Sequence, residues 1–255
     1  MGDPLVREML LASGETLVCD WIPPRTPGAG VAVFVHGLGS NRRGDKALHF
    51  AQRFAELGWG FLAPDLRGHG QSGGSMEGLC LTRCLEDLGA ALGFLPPGAA
   101  PRLLIGSSMG GAVAVWYQLL SPRAGSHIAL IAPALNFPRR FMDLRRDELA
   151  AWKREGRRRF ASEWIDLELG YGLVEDGARY PYERLLREYN APTLILHGMD
   201  DTAVPWRESV AFVERTQAKE VDLLLIKNGD HRLTAHKAYL FDAITVWLRR
   251  SGLLP

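Results

Sequence analysis

The sequence predicts an α/β fold: a mostly parallel central sheet flanked by helices, with a small helical cap. Three observations point there. Apolar, β-branched runs of strand length alternate with stretches of helical spacing. The helical stretches close on glycine or proline signals, such as Gly58 and the Pro96-Pro97 pair after Gly93. With 255 residues and 47% hydrophobic content, the chain can bury one large core, so positions 1–255 read as one domain.

The elements follow in order. Residues 5–12 and 16–22 form an antiparallel opening pair. Val31–Val35 is a β-branched strand that ends at His36-Gly37. Lys46–Leu57 has helical spacing. Gly60–Ala63 is a strand closed by Pro64, because proline removes a ladder donor. Cys80–Leu92 is a helix. Arg102–Ile105 is a strand feeding Gly106-Ser107-Ser108-Met109-Gly110, and Ala112–Leu120 continues as a helix. His127–Ile131, Thr193–Leu196 and Leu223–Ile226 are further strands, with helices near 206–216 and 234–250. Residues 136–189 break the rhythm. They show no strand signal and place Phe141, Leu144, Leu149, Trp152, Phe160 and Trp164 between many arginines. A stretch that short reads as a helical cap inserted within the domain.

Bulk properties exclude several function classes. A net charge of +1 supplies no global field for nucleic acid or an anionic membrane. No apolar run is long enough to span a bilayer. Cys19, Cys80 and Cys84 are an odd trio without a disulfide framework. The N-terminal residues are interrupted by charge and carry no secretory leader signal. The expectation is a cytoplasmic protein, its oligomeric state open.

Ser108 sits in a G-x-S-x-G pattern between an apolar strand and an alanine-rich helix. A serine there must turn sharply, and small residues two positions either side let strand and helix close around it. Ser107 is off that glycine frame. A serine hydroxyl needs a base, and the base needs a carboxylate. In this architecture acid and histidine follow the serine in that order, each after a late strand. His197-Gly198-Met199-Asp200-Asp201-Thr202-Ala203-Val204-Pro205 supplies the acid. Motif register selects Asp201 over Asp200. Asp230-His231-Arg232 supplies His231. Of the other histidines, His36, His69 and His197 read as loop supports, His49 and His127 lie in regular elements, and His236 falls in the last helix.

Acyl transfer places charge on a carbonyl oxygen, which backbone N–H groups hold. Met109 follows the serine and is one donor. Leu38, in His36-Gly37-Leu38-Gly39-Ser40, is the other, with Gly37 and Gly39 one register step away. Asp65-Leu66-Arg67-Gly68-His69-Gly70 reads as a glycine-rich turn held by Asp65 and Arg67. The arginines of 139–159 read as a solvated face paired with Asp143, Asp147, Glu148 and Glu155. The alternative is a rim that attracts carboxylate-bearing esters. Trp206, close to Asp201 in sequence, is a candidate for the substrate pocket.

These motifs resemble the α/β-hydrolase superfamily over nearly the whole chain. The stretches around Leu104–Gly111, Leu196–Trp206 and Asp230-His231-Arg232 look like the mitochondrial palmitoyl-protein thioesterase and acyl-glucuronide esterase branch. The resemblance implies a carboxylesterase or thioesterase acting on a small-molecule acyl ester or thioester. It implies no cofactor, metal or nucleic-acid partner. Lyase, perhydrolase or peptidase chemistry on the same residues, and a hydrolase-like binding protein, remain open at this point.

Overall fold

The computed structural model describes residues 4–26, 28–97, 99, 101–122, 127–141, 144–163 and 165–255. Asp143 and Trp164, both invoked above, lie outside the described residues. Eight strands form one sheet: β1 (Leu5–Leu10), β2 (Thr16–Ile22), β3 (Val31–Val35), β4 (Gly60–Asp65), β5 (Pro101–Ser107), β6 (His127–Ile131), β9 (Thr193–Gly198) and β10 (Val221–Ile226). Their order is β1-β2-β4-β3-β5-β6-β9-β10. Every pair from β4 onward in that order is parallel, and only β1–β2 and β2–β4 run antiparallel.

Alternation along the strands splits the core into two layers. Val31, Val33 and Val35 of β3 face one side with α2 (Leu81–Gly93) and α3 (Met109–Leu120). Ala32 and Phe34 face the other, with α1 (Asp45–Glu56) and α9 (Lys237–Arg250). Phe50 and Phe54 of α1 meet Phe241 of α9 at ring-centroid distances of 5.8 and 5.1 Å. α8 (Arg207–Arg215) packs Phe212 against Tyr189 under the far edge.

Proline does not end the fourth strand. β4 runs through Pro64 to Asp65 and pairs with β2 there. Its ladder to β3 stops at Leu62, so the missing N–H falls outside that pairing.

The 136–189 segment lies between β6 and β9 and corrects the expectation of helices alone. It holds α4 (Phe137–Arg140), α5 (Arg146–Glu155), α6 (Gly172–Gly177) and α7 (Tyr182–Glu188). It also contains a two-stranded antiparallel hairpin, β7 (Arg157–Ala161) and β8 (Asp166–Gly170). Its strands escape a hydrophobicity reading because they are held partly by charge. Arg159 reaches Asp166 at 2.6 Å and Arg157 reaches Glu168 at 3.2 Å. Its apolar residues pack inward, Phe160 against Trp152 at 5.0 Å and Phe141 at 5.1 Å. The Trp152 indole N–H donates to the Leu169 carbonyl at 2.9 Å.

The glycine-rich turn after β4 is a buried ionic knot. The Asp65 carboxylate accepts the Arg42 guanidinium, the Arg42 N–H at 2.6 Å and the Gln71 N–H at 2.8 Å. Arg42 also reaches Asp20 at 3.0 Å, and Arg67 reaches Asp87 at 2.5 Å. This knot anchors the chain segment between β3 and α1, whose opening loop reaches the site described next.

Removing one partner of such a pair strands the other charge in the interior. Arg42→Ala should cost about 3 kcal/mol in chemical denaturation. Arg43→Ala should cost under about 1 kcal/mol, because the Arg43 side chain is 48% exposed. Equal effects would contradict the burial argument.

Candidate active site

β5 ends at a turn whose backbone leaves no room for side chains. A methyl group on Gly106 would lie 2.4 Å from the Gly110 carbonyl oxygen, and one on Gly110 would lie 2.1 Å from that of Val35. Between them Ser108 takes φ 53°, ψ −118°, a conformation that L-residues rarely adopt. Its N–H donates to the Ile131 carbonyl at 3.0 Å, and its own carbonyl accepts from Gly111 at 2.9 Å and Ala134 at 3.0 Å. The strained turn is therefore fully tied at the backbone. It sets the serine hydroxyl at the N-terminus of α3.

The loops after β9 and β10 touch through their own glycines. A methyl group on Gly198 would meet the Gly229 carbonyl at 2.2 Å, and the Asp200 N–H donates to that carbonyl at 2.9 Å. This contact brings Asp201 beside His231. The structure places the three side chains in series. The Ser108 hydroxyl stands 3.0 Å from His231 Nε2, and His231 Nδ1 donates to Asp201 Oδ2 at 2.7 Å. Asp200 is exposed and Ser107 is buried beside the turn.

The Asp201 carboxylate has four donors. Oδ1 accepts the Ala203 and Val204 N–H groups at 2.8 and 2.7 Å. Oδ2 accepts His231 and also His197 Nε2 at 3.1 Å. Burial pushes this carboxyl up, but the hydrogen bonds from His197, His231 and Val204 together hold it well below the usual carboxylate range. His197 is fully buried, and its Nε2 also faces the Val204 carbonyl at 3.0 Å. Two acceptors at Nε2 fix the proton there, so Nδ1 accepts the Ser209 hydroxyl at 2.7 Å. His197 thus orients the acid, a role visible in sequence only as the histidine four residues before it.

His36 is structural. Its Nε2 accepts the Leu66 N–H at 3.0 Å, so Nδ1 carries the proton and donates to the Gly37 carbonyl at 2.8 Å. Burial, with the His69 ring 4.8 Å away, pushes its pKa down to about 4. This bracing sets the loop against the serine. A methyl group on Gly37 would lie 3.1 Å from Ser108 Cβ. Leu38 is half-buried and lines the cavity above Ser108. Gly39, at φ 69°, forms the turn behind it. Among the described residues no hydrogen bond occupies the N–H of Leu38 or Met109.

Above Ser108 and His231 lies a cavity of about 690 Å³. Leu38, Phe137, Phe141, Leu144, Phe160 and Ile165 make an apolar wall, most of it from the inserted segment. Trp206 does not line it, which corrects the pocket expectation. Its ring packs under the Arg207 guanidinium, 4.3 Å away, and Ala203 and Val204 face the cavity instead. Phe137, Ile165 and Lys46 of the lining carry no local sequence signal, because the fold brings them in from other elements.

A family model described as serine aminopeptidase, S33, matches residues 26–184. The mitochondrial palmitoyl-protein thioesterase ABHD10 of Bos taurus is 26% identical over 213 residues, covering 82% of this chain and 68% of the relative. A monoacylglycerol lipase of Mycolicibacterium smegmatis is 26% identical over 267 residues, covering 92% and 93%. Among solved structures, mouse alpha/beta hydrolase domain-containing protein 10 superposes with a TM-score of 0.84 at 22% identity. It covers 96% of this chain and 99% of that one. Est1E of Butyrivibrio proteoclasticus with bound ferulic acid gives 0.79 at 21%, covering 96% and 98%. At those identities the structural matches show a shared fold.

Because Asp201 is held ionised, it stays charged throughout the range above pH 4. A pH–rate profile should therefore show no ionisation of Asp201 above pH 4. His197→Ala removes a donor and raises the Asp201 pKa. It should lower kcat about tenfold with little change in KM, the scale of one hydrogen bond to a charged group. An Asp201 ionisation above pH 4 in the unaltered protein, or an effect of His197→Ala confined to KM, would contradict this reading.

Proposed function

The chain belongs to the serine aminopeptidase S33 family of α/β-hydrolases, and from that premise we propose that it is a carboxylesterase or thioesterase working through an acyl-enzyme. The Ser108–His231–Asp201 relay carries the reading, with contacts of 3.0 and 2.7 Å in series. His231 Nε2 takes the Ser108 proton as the oxygen attacks the acyl carbonyl. Asp201 fixes the imidazole tautomer and stabilises its charge. The N–H groups of Met109 and Leu38 receive the oxyanion, which the first turn of α3 also favours. His231 returns the proton to the departing alcohol or thiol. Water, deprotonated by the same histidine, then releases the acid.

The apolar wall supports an acyl group as the part of the substrate it holds. The relatives named as a palmitoyl-protein thioesterase and a monoacylglycerol lipase act on acyl esters or thioesters by name, which favours that bond type. The family description favours a second reading, aminopeptidase chemistry on the same residues. That reading needs an anchor for a free α-amino group; among the described lining residues the one carboxylate is Asp45, which is exposed, and the wall from the inserted segment is mainly apolar.

The test pairs 4-nitrophenyl esters of two to sixteen carbons and an acyl-thioester series with aminoacyl 4-nitroanilides. Ester or thioester turnover is expected to dominate and to fall by three or more orders of magnitude in Ser108→Ala. Turnover that survives Ser108→Ala, or a preference for the anilides, would reject the proposal. In Asp201→Asn, kcat should drop by about 10⁴ through the wrong imidazole tautomer. Unchanged kcat would remove Asp201 from the relay.

A further inference from the structure

The inserted segment is joined to the body of the protein at both of its ends. Its later part docks on α2 and α3. There the Asp176 carboxylate accepts the Thr82 N–H at 2.8 Å, and Tyr180 meets Trp116 edge to face at 5.2 Å. Arg145, Arg158 and Arg159 pair inside the segment, the first two with Glu148 at 3.0 and 2.7 Å and the third with Asp166 at 2.6 Å. Arg140 is different, because its guanidinium leaves the segment. It reaches Glu208 of α8 at 2.6 Å and donates a second hydrogen bond to the Ala203 carbonyl. A planar fork of fixed donors suits two acceptors placed side by side.

Ala203 lies two residues past the acid of the relay. Its carbonyl and the Val204 N–H belong to one planar trans peptide, so they point in opposite directions. The Val204 N–H is one of the two backbone donors to Asp201 Oδ1, at 2.7 Å. Arg140 thus grips one end of a rigid plane whose other end holds the carboxylate. A cation on the carbonyl oxygen also polarises the peptide and strengthens its N–H as a donor. The next plane is pinned in turn, since the Val204 carbonyl faces His197 Nε2 at 3.0 Å.

The same arginine bears on the acyl wall. α4 is a single turn, too short to hold its shape alone. It carries Phe137, and Phe141 follows it directly. Both line the cavity, with their rings 5.3 Å apart and Arg140 between them in sequence. We propose that Arg140 is a positioning residue for the catalytic acid, holding Asp201 in line with His231 through the 203–204 peptide while it fixes the phenylalanine wall in register with the same site. The inference rests on the serine-hydrolase reading above.

An acetyl ester separates this role from simple anchoring of the cap, because two carbons make little use of the phenylalanine wall. The proteins are the wild type, Arg140→Met and Arg140→Lys, each with its melting temperature and with competent sites counted by fluorophosphonate titration. The substrates are 4-nitrophenyl acetate and octanoate. In Arg140→Met, kcat per competent site should fall about tenfold on both esters, the scale of one hydrogen bond to a charged group. KM for the acetate should stay within about twofold. Arg140→Lys keeps a cationic donor for the carbonyl and should recover most of the loss. The His231 Nδ1 proton, followed by NMR, should shift in Arg140→Met and return in Arg140→Lys. An unchanged kcat on acetate in Arg140→Met overturns the positioning role. So does a loss confined to octanoate KM or to the melting temperature, or an equal loss in Arg140→Lys. In each of these cases ester turnover by the wild type leaves the hydrolase reading standing. A wild type that cleaves no ester overturns both.

Discussion

The constraint on which the rest depends is the turn at Ser108. Its positive φ costs on the order of 1–3 kcal/mol and persists only where the surroundings over-determine it. Here they do. Gly106, Gly110 and the end of β3 approach so closely that no Cβ fits, and three backbone hydrogen bonds tie the serine to β6 and α3. That packing decides where the hydroxyl stands. It also forces β3, β5 and α3 into one rigid corner, which aligns the Gly37–Leu38 loop with the serine.

Charge is handled in two ways in this molecule. The interior charges that hold the fold are matched at close range, Arg42 with Asp65 and Asp20, Arg67 with Asp87. Asp201 is matched more fully still, by four donors on its two oxygens. A carboxylate so held stays ionised beside His231, which suits the orienting role proposed for it.

The parts of this arrangement that are legible in the sequence are those written in local backbone chemistry. The elbow and the acid and histidine loops each follow a strand and carry glycines that only a tight approach requires, as Gly106, Gly198 and Gly229 show. The β7–β8 hairpin was not legible, because Arg157–Arg159 are polar in sequence and find their partners only across the ladder. Pro64 misled for a related reason: whether a proline ends a strand depends on which neighbour needs its N–H. Trp206 looked like a pocket residue from its nearness to Asp201, but the turn into α8 carries it under Arg207 instead. The cavity walls come from distant elements. Nothing in the spacing of Lys46, Phe137 and Ile165 announces that they share a surface.

The central claim is that Ser108 is acylated. The direct measurement is peptide mass mapping after brief reaction with a fluorophosphonate or a slow acyl ester, with the His231→Ala protein alongside. The account predicts one adduct, on the peptide containing Ser107 and Ser108. Fragmentation should assign it to Ser108, and it should be strongly slowed without His231. An adduct on Ser107 or any other residue, or labelling that proceeds equally in His231→Ala, would contradict it.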